Sequence, residues 1–152
     1  MNKLVIAVLQ SGNRAAVEAL LEDEATIFRV DWHEDDSDIV EYCEGVLQTG
    51  SLKAAWEEGG ELYITHAGNH VRVPLMNSDQ DRHITLCALN RALSPDYEVR
   101  FCVDTNGSDT LGFLPLPASE WADLENQYGA AVSRHFYRLA ARPNVFTDPL
   151  PF

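Results

Sequence analysis

The stretch VDWHEDDSDIVEYCE, residues 30–44, gathers the groups best able to do chemistry in this chain. It holds seven carboxylates, Asp31, Glu34, Asp35, Asp36, Asp38, Glu41 and Glu44, and no Lys or Arg lies between Arg29 and Lys53. Carboxylates at this density suit four tasks: holding a metal, acid–base catalysis, meeting a basic partner, or charging the start of a helix. A metal is disfavoured, because the run lacks the spacing of an EF-hand loop and its central glycine. His33-Glu34 does not open an HExxH motif, since Ser37 stands where the second histidine belongs.

Other reactive residues are scattered. HAGNH, residues 66–70, could form a cross-strand histidine pair for zinc, but only in one hairpin register. Cys43, Cys87 and Cys102 are odd in number, widely spaced and free of any CxxC pair, which argues against a disulfide framework or a structural zinc. Cys43 and Cys87 fall at apolar positions of expected helices, as buried thiols do. No spacing selects Cys102 with His70 or His83 as a catalytic pair. P-loop, GxGxxG and GxSxG patterns are absent. Carboxylate pairs carry little information in so acidic a chain. No catalytic residue, cofactor or metal is assigned, and binding is preferred to catalysis.

The elements that must position the acidic run follow from periodicity. Residues 14–22 predict a helix. Residues 26–32 predict a strand with Phe28, Val30 and Trp32 on one face. A helix is expected from about Asp36 to Gln48, with Ile39, Val40, Cys43, Val46 and Leu47 as its apolar stripe and Gly50 as its left-handed cap. On this helix Asp38 and Glu41 lie opposite the stripe and Glu44 on its flank. Asp35 and Asp36 would face the core if the helix ran through them, so they are placed at its start, one as the N-cap. Asp35, Asp36 and Asp38 then gain about 0.3–1 kcal/mol each from the helix dipole. Asp31, Glu34, Glu41 and Glu44 are left with no local cation.

Residues 52–57 fit strand or helix. ELYITHAGNHVRVPL, residues 61–75, predicts a hairpin. A two-residue Gly68-Asn69 turn, pairing His66 with Val71, keeps Leu62, Ile64, His66, Val71, Val73 and Leu75 on one face. His66 and His70 then point to opposite faces and do not share an ion. A helix is expected over 79–93, strands over 97–103 and 110–116, and a single long helix from about Pro117 or Ser119 to Ala141. Residues 142–152 form an extended Pro-rich tail. The expected fold is a single α+β domain spanning 1–152, a mostly antiparallel sheet with helices packed on it.

Charge is distributed unevenly. The net charge is −13, and residues 18–61 carry fourteen acids against two bases. A nucleic-acid binder needs a basic footprint, so that class is excluded. Leu4–Leu9, the apolar run near the start, is too short for a membrane span or a signal-peptide core, so a cytoplasmic protein with no membrane association is expected.

The acidic helix start HEDDSDIVEYCE, the hairpin ELYITHAGNHVRVPL, and RHITLCALNRAL followed by YEVRFCVDTNGSDTLGFLPLPASEWADLE resemble, in general style, bacterial immunity proteins of polymorphic or contact-dependent toxin systems. The resemblance implies a protein that binds and neutralises one cognate toxin, and an acidic inhibitor suits a toxin with a basic surface. It transfers no residue by motif. On charge grounds Asp31, Glu34, Asp38, Glu41 and Glu44 are the expected partner-binding residues, with Tyr42 or Trp32 as aromatic anchor. Two alternatives are a small enzyme or ligand-binding domain with an anion pocket at His70, Arg72 and Arg100, and an adaptor for another protein.

Overall fold

The computed structural model describes residues 2–152. Fourteen short elements follow one another: α1 (Lys3–Ser11), α2 (Arg14–Leu21), β1 (Phe28–Asp31), α3 (Asp36–Leu47), β2 (Lys53–Trp56), β3 (Leu62–His66), β4 (Asn69–Val73), α4 (Asp81–Leu93), β5 (Tyr97–Cys102), a 3-10 turn (Val103–Thr105), β6 (Thr110–Pro117), α5 (Ala118–Tyr128), α6 (Ala130–His135) and β7 (Phe136–Arg138). They build two antiparallel sheets, one ordered β1-β6-β5-β7 and the other β2-β3-β4. The α+β expectation holds, with two sheets in place of one. No helix among the described residues is long and apolar enough to cross a membrane.

The four-stranded sheet is buried on both faces. Phe28, Val30, Val99, Phe101, Leu111 and Phe113 point to one side, where they meet α3, α4 and the inner face of the second sheet. Ile27, Cys102, Leu114 and Leu116 point to the other, against α1, α2, α5 and α6. The run Leu4–Leu9, unassigned from periodicity, lies in α1. Asn2 caps this helix by accepting from the N–H groups of Leu4 and Val5. Two-sided burial also explains Arg100, expected in an anion pocket, and Cys102, both buried here.

Several boundaries differ from expectation for local reasons. Strand β1 ends at Asp31, and Trp32 turns outward, 56% exposed, instead of joining Phe28 and Val30. Gln48, at φ 53, makes the left-handed cap of α3 that Gly50 was expected to make. Residues 53–56 are a strand. The hairpin turns at Ala67-Gly68, both at positive φ, so Ile64 pairs with Val71 and His66 with Asn69. That register is two residues from the expected one, and a slip of two preserves every face: His66 is buried and His70 exposed. Asn69 fixes it by donating through Nδ2 to the carbonyls of Ala92 and Ser94 at the end of α4, at 2.9 and 3.0 Å.

The long final helix is broken. Gly129 sits at φ 54, ψ −123, a conformation open to glycine, and separates α5 from α6. Phe136–Arg138 then leaves the helical path to pair with β5 as an edge strand. The tail is anchored. Val145 is buried, Phe146 packs 6.1 Å from the Phe113 ring, and Asp148 N–H closes a turn onto the Asn144 carbonyl.

Gly112 is closely packed by its neighbours. A Cβ there would lie 3.0 Å from Thr105 Cγ2 and 3.5 Å from Ile27 Cδ1. The substitution Gly112→Ala is expected to cost about 1–3 kcal/mol through overpacking, read from the urea midpoint; an unchanged midpoint would show that the layers yield there.

Candidate functional site

The acidic stretch is organised by one buried ion pair. Asp35 is the N-cap of α3 and accepts from Ser37 N–H at 3.1 Å. Asp36 does not stop at a solvated helix start, as expected. It turns inward, is buried, and receives Arg82 Nε at 2.8 Å, Arg82 Nη2 at 2.7 Å and the Thr85 hydroxyl at 2.8 Å. Arg82 also donates through Nη1 to the carbonyl of Trp32 at 3.1 Å, tying the outward-turned tryptophan to the same node. On its far side Asp81, also buried, accepts the backbone N–H groups of Met76, Asn77 and Ser78. Two carboxylates and one guanidinium thus fix the chain on both sides of the α3–α4 contact.

Beyond this node the expected partner-binding acids divide. Asp31 accepts from the backbone and ring of His33, and the backbone hydrogen bond holds its carboxyl below the usual range. Glu34 accepts the Tyr42 hydroxyl at 3.1 Å, and this bond pushes the Tyr42 phenol above its ordinary value. Glu44 was expected to be surplus charge, and here it is structural. It accepts from Thr49 N, Thr49 Oγ1 and Gly50 N at 3.1, 2.7 and 2.6 Å, closing the loop after α3. Burial pushes its carboxyl up, but these hydrogen bonds outweigh burial and leave it below the usual range. Asp38 and Glu41 accept no hydrogen bond or ion pair among the described residues, and both adjoin Tyr42. The surviving surface is therefore Asp38, Glu41, Glu34 and Tyr42 on α3 and its approach, beside the exposed Trp32.

A concavity of about 430 Å³ lies next to this surface, and Trp32 and Trp56 both line it. Trp56 is 48% exposed. Periodicity did not single out Trp56, because the strand–helix ambiguity over 52–57 hid its facing.

Catalytic constellations fare less well. Cys87 Sγ lies 3.5 Å from His83 Nε2, a pairing that sequence spacing did not select. Yet His83 Nδ1 accepts from Val145 N–H, so Nε2 carries the proton and donates to the Ala140 carbonyl at 2.6 Å. A protonated Nε2 does not take the thiol proton, and burial raises the Cys87 thiol further from ionisation. Ser51, His66 and Asp96 also stand in line, with Ser51 Oγ 3.0 Å from His66 Nδ1 and His66 Nε2 3.6 Å from Asp96. His66 Nε2 is sealed from solvent without a hydrogen-bond partner. His70, Arg72 and Arg100 are not brought together. His70 stacks on Tyr63 and Arg72 pairs with Glu61 on the small sheet. Arg100 is 2% exposed in the other sheet, held by Glu98 and Glu125 and lying 4.2 Å above the Trp121 ring.

Comparison of the chain with protein-family models, curated proteins and solved structures finds no match.

Removing Arg82 as Arg82→Ala strands the Asp36 charge and is expected to cost about 3–5 kcal/mol in chemical denaturation. Arg14→Ala, at an exposed pair with Glu18, should leave the denaturation midpoint close to that of the parent. The Glu44→Gln variant should lose roughly 1–2 kcal/mol at neutral pH. Because the folded-state carboxyl is lowered, its stabilisation is present above the unfolded value and fades as pH falls through the folded one. Denaturation curves of parent and variant should therefore converge in acid, and a gap independent of pH would contradict this role.

Proposed function

We propose that this chain is a cytoplasmic immunity protein that binds and neutralises a bacterial toxin domain with a basic surface. One observation carries the reading. Half-buried Asp38 and exposed Glu41 lie on α3 with no ion pair among the described residues, beside Tyr42 and the outward-turned Trp32. Like charges left unpaired on one helix cost stability. The same charges raise the association rate with a basic partner. Exposed aromatics at their margin supply the contact area that holds such a complex together.

The buried Asp36–Arg82 pair fits this role as a support. It lets the rim present charge and indole from a fixed backbone, so little ordering entropy is lost on binding. Neutralisation on this reading is steric, by covering the toxin's working surface.

Where the gene immediately upstream encodes a protein with a C-terminal toxin domain, co-expression tests the function: that domain should arrest growth and this chain should relieve the arrest. Failure of relief would remove the immunity reading. In stopped-flow measurements on the purified pair, Asp38→Lys with Glu41→Lys should slow association about tenfold or more at low salt and flatten its salt dependence. Unchanged kinetics would move the interface to another face.

A further inference from the structure

We propose that the groove between Trp32 and Trp56 is an arginine-binding site, taking one guanidinium from the partner against indole and the Asp79 carboxylate. This rests on the basic-partner reading above and names the side chain that anchors it.

Two of the three tryptophans line this single concavity and remain half exposed. Indole surface left in water is an unmet opportunity for burial, and the groove's charge decides what can fill it. Asp36, Asp79 and Asp81 line it with Arg82 and with His33, whose ring centroid lies 3.5 Å from that of Trp32; with His33 neutral, two negative charges are left over. Arg82 is itself occupied by Asp36 and by the Trp32 carbonyl. Asp79 lines the groove, is exposed and accepts one hydrogen bond, from Gln80 Nε2 at 3.2 Å, so most of its acceptor capacity is free.

An indole face beside a carboxylate is the chemistry of cation recognition. An anionic ligand would meet like charge. A purely apolar one would dehydrate Asp79 with nothing to bond it. Among protein cations, the planar guanidinium stacks on indole and donates two parallel hydrogen bonds to a carboxylate, whereas an ammonium does neither. The floor is preorganised: Asp81 pins residues 76–78 through three backbone N–H groups.

The three tryptophans also provide the test. Trp121 is buried and donates through Nε1 to the Glu98 carbonyl at 2.9 Å, far from the groove lining, and serves as an internal control. N-acetyl-arginine methylamide titrated into ¹⁵N-labelled protein should shift the Trp32 and Trp56 indole N–H signals along one saturation curve while Trp121 stays fixed. The lysine analogue should require about threefold more ligand, and the glutamate analogue should produce no shift. In Asp79→Asn or Trp56→Ala, with the Trp121 signal confirming the fold, arginine binding should weaken about threefold or more, the scale of an exposed cation–π or ion-pair contact. Absent shifts, equal response to the glutamate analogue, or unaltered binding by Asp79→Asn would overturn the proposal. The titration needs no toxin. Its failure leaves the immunity reading standing, and failed growth relief with an intact titration removes that reading while leaving the groove.

Discussion

Burial of the four-stranded sheet on both faces is the constraint from which the rest of the molecule follows. A sheet with one wet face alternates apolar and polar residues. This one must cover Phe28, Val30, Phe101 and Phe113 on one side and Ile27, Cys102, Leu114 and Leu116 on the other. Six helices and a second sheet are divided between those two tasks. Polar groups caught between layers then need partners of their own. Arg100 meets Glu98, Glu125 and the Trp121 ring, and the Arg100 hydrogen bond holds the Glu125 carboxyl below its usual range. Thr105 donates to the Cys102 carbonyl and accepts from Gly112 N–H, satisfying the chain beside the closely packed Gly112.

The acidic segment obeys the same logic at its inner edge and departs from it at its outer one. Asp36 and Asp81 are buried and spoken for, Asp35 caps a helix, and Glu44 closes a loop. Only the charges that face water lack internal work. Net charge alone was therefore a poor guide to which carboxylates are free. The decisive property is whether a backbone N–H or a guanidinium lies within reach, and for Asp36 that depends on Arg82, 46 positions away.

Short-range pattern made much of this legible. The stripe of α3, a cap at Asp35 or Asp36 and the opposed faces of His66 and His70 all follow from side-chain period, and the structure resolves the cap to Asp35. What stayed hidden depends on distant partners. Arg100 was expected in an anion pocket, but its strand has no wet face and the side chain is buried. The stripe from Trp121 through Phe136 read as one helix because Val132 and Phe136 do join the same core as Trp121 and Leu124, although Gly129 interrupts the path between them. Trp32 followed the period of β1 in sequence, but the strand stops one residue earlier, where Arg82 takes the Trp32 carbonyl. The two-residue offset in the hairpin belongs to Asn69 and its bonds to the end of α4, a contact no local pattern encodes.

The three free thiols sit at three depths of this layered body. Cys43 lies in the core between α3 and the small sheet, Cys102 in the core on the opposite side of the central sheet, and Cys87 half-buried on the outer part of α4. Burial holds the Cys43 and Cys102 thiols far from ionisation, so neither reacts until its own layer opens. The chain consequently carries a native chemical clock for each half of its interior. Alkylation rates at the two buried sulfurs separate a molecule that loosens one layer at a time from one that opens only as a whole.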